Sequence, residues 1–226
     1  MIFQKIANNS SPTSLATRFR EKRFSFFLSL LSQVERPVSI LDVGGTEYFW
    51  NMMGISNLSD VKITLLNTSD CMISNPNISF VIGDACDLKF LGESFDVIFS
   101  NSVIEHVGNR YNQKQMANEV KRVGKRYFIQ TPNKNFFLEP HFLFPFFQFM
   151  PSSIQVWLVR NFKLGWYERK PIVYEAKSLL DSVNLLSKKE LIGLFPEGNL
   201  YEEKFLGLTK SFIVFSGWDS LIPSSN

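Results

Sequence analysis

Cysteine and histidine are scarce in this sequence, with two of each in 226 residues. Cys71 and Cys86 form neither a disulfide framework nor a zinc-type ligand spacing, and read as reduced thiols of an intracellular chain. An excess of one charge sign is also missing. The 24 basic and 21 acidic residues leave a net +3 and are scattered, so there is no basic stripe and nucleic acid is excluded as a partner. The apolar stretch at residues 24–31 is too short to span a bilayer. Residues 1–14 are polar and lack the basic-then-apolar order of a signal peptide, so a cytoplasmic location is expected. A composition 45% hydrophobic and 20% charged excludes disorder and predicts one core, hence a single domain over residues 1–226.

Aromatic residues, by contrast, are abundant. There are 23 phenylalanines, concentrated between Phe136 and Phe149 beyond what core filling asks of so short a stretch. Residues 15–36 read as an N-terminal amphipathic helix that Pro37 stops. Short apolar runs at residues 38–43, 61–66, 78–82, 95–99 and 126–130 have the pattern of strands buried on both faces of a parallel sheet. Helical segments at 47–57, 87–91 and 113–123 alternate with them, which predicts an α/β fold with a doubly wound, mostly parallel sheet across residues 37–132.

After Pro132 the rhythm breaks, and residues 133–183 read as an aromatic insertion or lid on the acceptor side, containing a helix at 152–161 capped by Ser152 or Ser153. Residues 184–218 close the chain. Ser187 with Glu190 fits a capping box for a helix to Phe195, and runs at 201–206 and 211–215 form a C-terminal antiparallel hairpin.

The most informative segment is Ile40-Leu41-Asp42-Val43-Gly44-Gly45-Thr46, a buried strand ending in an acidic residue and two glycines that open onto a helix. Glycines there let a ligand approach the backbone, and in open α/β sheets ligands sit beyond the carboxyl ends of the strands. The same pair also fits a plain tight turn. A dinucleotide loop requires Gly-x-Gly-x-x-Gly, and Thr46 and Phe49 occupy its second and third glycine positions. Asp42 would repel a pyrophosphate and suits a cofactor with a cationic amino group.

This segment resembles the first motif of class I S-adenosylmethionine-dependent methyltransferases, a Rossmann-like family, and later segments keep the family's order. Gly83-Asp84-Ala85-Cys86-Asp87-Leu88 resembles the third-strand motif. Residues 94–107, with Asn101, Glu105 and His106, resemble the fourth-strand motif of the branch acting on small molecules and quinones, and residues 205–212 resemble the closing hairpin.

The resemblance implies S-adenosyl-L-methionine as cofactor. Asp42 would hold its ammonium, Gly44, Gly45 and Thr46 would line the methionine tail, and Asp84 with the Ala85 amide would meet the adenine. Asn67 would stand where the family usually has an acidic ribose ligand, and Asn101 would lie on the cofactor side of the fourth strand. Thr46 and Tyr48 replace glycines of the commoner loop, which implies a different loop shape. Asp84 and Asp87 equally fit the capping of a short helix.

In quinone O-methyltransferases a Glu-His pair like Glu105-His106 joins an earlier Glu in binding a divalent ion; that earlier position here is Ser102, and no metal is expected. His106 then reads as a wall or orienting residue of the cleft. His141, with Glu139 to orient it, lies where the family places acceptor-binding residues, and a neutral imidazole there suits proton removal from a hydroxyl acceptor. His141 equally fits simple packing among Phe and Pro. The expected reaction is methyl transfer to a small-molecule acceptor, such as a sugar, a lipid-linked glycan or a quinone-like ring. The aromatic stretch reads first as a lid and pocket and second as a peripheral membrane contact. The rival from another class is a non-catalytic binding or assembly module on the same fold, suggested by Thr46, Tyr48 and Asn67; a dinucleotide enzyme is third.

Overall fold

The computed structural model describes residues 14–54 and 59–218. Five parallel strands form the centre of one sheet: β1 (Val38–Val43), β2 (Val61–Asn67), β3 (Ile78–Ile82), β4 (Val97–Asn101) and β5 (Tyr127–Pro132). The last two strands, β8 (Asn199–Phe205) and β9 (Leu208–Ser216), form the expected hairpin, and β9 adds antiparallel to β5. The spatial order is β3-β2-β1-β4-β5-β9-β8. It reverses between β1 and β4, and a ligand crevice opens at such a switch point, beyond the carboxyl ends of the strands.

Side chains alternate across each strand, so both faces are covered. On one face Ile40, Ile63, Leu65, Phe99 and Phe128 pack against α1 (Leu15–Leu31) through Phe24, Phe27 and Leu31, and against Trp50 of α2 (Glu47–Met52). On the other, Leu41, Val43, Ile98 and Ile129 meet Met116 and Val120 of α3 (Arg110–Val123). Phe27, Trp50, Phe99 and Phe128 are among the largest fully buried side chains, which absorbs much of the aromatic content into ordinary core.

Three sequence expectations are corrected. The first helix ends at Leu31 rather than residue 36, because Gln33 N–H bonds Leu30 O and Val34 N–H bonds Leu31 O in a tighter closing turn. Residues 87–91 form no helix. Their backbone groups are taken by α3 side chains instead: Leu88 N–H donates to Glu119, and Arg122 donates to the carbonyls of Leu88 and Phe90. The helix at Ser152–Asn161 forms, here α4, but neither Ser152 nor Ser153 caps it; Pro151 occupies the cap position without a side-chain bond. The end of the helix expected at 47–57 lies partly outside the described residues, as do most of residues 1–14.

The chain leaves the sheet after β5 and returns where Asn133 bridges Leu186, so the insertion is closed at its base. Inside it are a two-residue ribbon of β6 (Leu138–Glu139) and β7 (Phe144–Pro145), a short 3-10 turn at Phe147–Phe149, α4, and α5 (Val173–Asp181), a helix the sequence pattern did not reveal. Phe142, Phe147, Leu158, Val159, Leu164 and Ala176 form its own small core. Phe149, Trp157, Phe162 and Trp166 remain roughly half exposed on its surface. Ser187 caps the last helix, α6 (Lys188–Leu194), in a complete capping box with Glu190. Among the described residues no helix is long and apolar enough to cross a membrane.

Candidate active site

At the switch point the strand β1 delivers Asp42 into the protein interior, where it is 1% exposed. Its Oδ2 accepts from Trp50 Nε1 at 2.7 Å. Burial raises its pKa to about 7, the Trp50 bond opposing the shift. The loop that follows is shaped by its two glycines. Gly44 has φ +77°, and a Cβ at Gly45 would stand 1.6 Å from Asp42 Oδ2, so the backbone passes directly over the carboxylate. Thr46 accepts from Phe49 N–H and caps α2, which explains a threonine at a position where the family often has glycine.

Asp42, Gly44, Gly45, Thr46 and Asn101 line one cavity of about 240 Å³, with Arg20, Tyr48, Phe49 and Phe99. Five of the eight expected cofactor residues therefore share a cleft. Asn67 ends β2 beside it and donates from Nδ2 to Gly45 O at 2.9 Å. Asp84 and Ala85 follow β3 outside this lining. The Asp84 carboxylate closes a turn on Cys86 N–H at 2.8 Å, the capping behaviour weighed as its plainer reading, though no helix follows.

Two arginines of α1 escaped sequence reading. Arg20 reaches the cavity wall. Arg23, three residues on, forks onto Glu203 of β8 at 3.0 and 2.6 Å, and its Nη1 donates to Asn101 Oδ1 at 2.5 Å. Burial alone would raise Glu203, but the Arg23 charge prevails and its pKa is lowered. The helical i, i+3 spacing of Arg20 and Arg23 was visible beforehand; their partner, 180 residues away, was not.

The expected catalytic residues gather at the same edge of the sheet. Glu105 follows β4 and is wholly buried; its Oε2 accepts from Thr131 Oγ1 at 2.9 Å, and burial raises its pKa to about 7. Glu139, 2% exposed, accepts from His141 N–H at 2.7 Å, Phe142 N–H at 2.6 Å and His141 Nδ1 at 2.7 Å. His141 is therefore oriented rather than loosely packed. Its Nε2 lies 3.1 Å from His106 Nε2. Burial tends to lower His141, yet the Glu139 bond and charge, with Glu105 beyond, leave it raised; burial and then His141 lower His106. The insertion thus carries His141 to the carboxyl edge, but Phe147 turns into the insertion's own core and no insertion residue lines the 240 Å³ cavity.

Residues 41–127 match the family model described as a methyltransferase domain. No curated protein matches the chain in sequence. Its fold is shared with solved proteins of low identity. One from Pyrococcus horikoshii OT3 is 16% identical with a TM-score of 0.57, covering 91% of this chain and 95% of its own. A SAM-dependent methyltransferase from Methanosarcina mazei is 16% identical with a TM-score of 0.54, covering 83% and 95%. The N-terminal domain of EvdMO1, solved with SAH and D-fucose, is 14% identical with a TM-score of 0.53, covering 88% and 82%.

Proposed function

We propose that this chain is a class I S-adenosylmethionine-dependent methyltransferase that moves the sulfonium methyl of its cofactor onto a hydroxyl of a small-molecule acceptor: a sugar, a lipid-linked glycan or a quinone-like ring. The observation that carries this reading is the Asp42 carboxylate held under the Gly44-Gly45 backbone with Trp50 as its side-chain partner. A cleft that needs a missing Cβ and presents one buried carboxylate fits a cofactor whose tail bears an ammonium.

When bound, the cofactor supplies an electrophilic methyl on a positively charged sulfur, and the protein contributes alignment and exclusion of water. Asp42 holds the ammonium, Gly44, Gly45, Thr46 and Asn101 line the tail, and Asn67 takes the ribose side. Asp84 and Ala85 stand at the end of β3 for the adenine. At the acceptor end, the Glu105, His106 and His141 cluster, braced by Glu139, is where the hydroxyl proton leaves. Thr46 and Asn67 each make a local bond that builds the loop, which favours an active cleft over a degenerate module. The exposed Phe149, Trp157, Phe162 and Trp166 favour the lipid-linked acceptor within the set, and binding to phospholipid vesicles checks that preference.

Adenosylhomocysteine binding is the direct test. A ligand at one hundred times its Kd adds about 2.7 kcal/mol of stability. A melting temperature unmoved at saturating ligand refutes the reading, and transfer of labelled methyl to a panel of acceptors identifies the class.

A further inference from the structure

The two imidazoles at the carboxyl edge meet in a way that neutral rings alone do not explain. Their Nε2 atoms are 3.1 Å apart, with the ring planes at 87°. The opposite nitrogens determine which tautomer each ring adopts. His106 Nδ1 faces the backbone carbonyl of Ser182 at 3.2 Å, a group that only accepts, and His141 Nδ1 faces the Glu139 carboxylate at 2.7 Å. Both Nδ1 atoms therefore carry hydrogen, which in neutral rings leaves an accepting lone pair on each Nε2. Two acceptors at this distance need a shared cation, either a proton on one ring or a metal ion. Beside it is a second anomaly: Glu105 Oε1 is fully buried without a hydrogen-bond partner. One ligand atom from each of Glu105, His106 and His141 lies within 4.8 Å of the others.

We propose that Glu105, His106 and His141 form a binding site for a first-row divalent transition-metal ion. An ion about 2.1 Å from each nitrogen spans their separation at an angle of about 95°, close to that of adjacent ligands in an octahedral shell. Ser182 O and Glu139 then act as the outer partners that orient metal-bound imidazoles and make them better donors. Imidazole with a carboxylate suits zinc or manganese rather than magnesium, which prefers oxygen. Three ligands leave coordination positions open, and His106 is exposed enough to admit an ion from solvent. The absence of a metal expected from Ser102 followed from neighbours in sequence; His141 joins the set only through the fold. The cation site stands without the methyl-transfer reading, and only its role in lowering the pKa of an acceptor hydroxyl rests on that reading.

Calorimetric titration of the metal-stripped full-length chain with Zn2+, Mn2+ and Mg2+ is the test, alongside His106→Ala, His141→Ala and Glu139→Gln. One equivalent of Zn2+ or Mn2+ is expected, weakened more than 100-fold in either histidine variant. Glu139→Gln should weaken it by about 10–100-fold, because an amide donor turns the His141 tautomer and removes its Nε2 lone pair. His106, on the surface, can be replaced without disturbing the core, so unchanged adenosylhomocysteine affinity in His106→Ala certifies the fold. A wild-type chain that binds adenosylhomocysteine but no metal overturns the inference and leaves a shared proton between the rings. Metal binding indifferent to both histidines, or equal affinity for Mg2+, overturns it as well. Metal binding without adenosylhomocysteine binding upholds the site while refuting the methyltransferase reading.

Discussion

Replacing Gly45 by alanine places a methyl group where the structure has no room for it. The added Cβ would lie 1.6 Å from Asp42 Oδ2 and 2.1 Å from its Cγ. Asp42 is buried against a wholly buried Trp50, so a displaced carboxylate gives up that partner. Either it rotates away, leaving the Trp50 N–H unpaired at about 1.5–3 kcal/mol, or the loop lifts and also loses the Asn67 bond to Gly45 O, about 1 kcal/mol. The expected destabilisation is about 2–4 kcal/mol, a fall of roughly 5–15 °C in Tm for a chain of this size. Since the displaced groups are the ones assigned to the cofactor tail, adenosylhomocysteine should bind roughly 10–100-fold more weakly at equal protein folding. Gly54→Ala is the control. Gly54 has φ +76° with open space around it, so it costs about 1–2 kcal/mol of strain and leaves affinity unchanged. Calorimetry with both variants decides; wild-type affinity in a folded Gly45→Ala chain would refute the placement of the cofactor over Asp42.

Because burial raises Asp42 to about 7, the native chain binds its proton more tightly than the unfolded chain does. Its contribution to stability is therefore present at low pH and is lost at up to about 1.4 kcal/mol per unit between pH 4 and 7, while affinity for a cationic ammonium rises through pH 7. Asp42→Asn should flatten both profiles in melts and titrations from pH 5.5 to 8.5, and parallel profiles would reject Asp42 as the ammonium ligand. Asn67→Asp exchanges a donor for an acceptor facing Gly45 O, and should weaken adenosylhomocysteine by about five- to thirtyfold (1–2 kcal/mol) rather than improve it; an improved affinity would mean that ribose contact outweighs the loop bond. Arg23→Ala leaves Glu203 buried with only the Ser211 hydroxyl and Lys210 at 3.8 Å beside it, so denaturant unfolding should register a loss of about 3 kcal/mol, and a loss under 1 kcal/mol would show that Lys210 takes over the pairing.

Much of this architecture was written locally. Apolar runs marked each parallel strand to within two or three residues, because a central strand covered on both faces has no polar alternative; β3, at the sheet edge, is the exception to that burial, with only Ile78 buried. The Ser187 and Glu190 capping box and the final hairpin were legible for the same reason, since their bonds join residues close in sequence. The glycine pair after Asp42 marked the cleft at the switch point because close approach to a backbone demands a missing side chain. Where local pattern and tertiary demand competed, the tertiary partner won. Residues 87–91 surrendered their backbone groups to Glu119 and Arg122, while α5, short and with Ala176 as its one buried residue, is held by the insertion's own core.

The chain's motifs and spacing by themselves determined an α/β sheet, a glycine-paired first loop and a family resemblance. Only the tertiary structure decided how the ionisable groups meet. Arg23 finds Glu203 across 180 residues of chain, and His141 finds His106 across 35, pairings that bury charge and fix tautomers through contacts no local period encodes. Sequence reading could place each histidine near the cleft, but the direction of each ring comes from Glu139 in the insertion and the Ser182 carbonyl just after α5, and those anchors exist only once the insertion has folded back onto the end of the sheet.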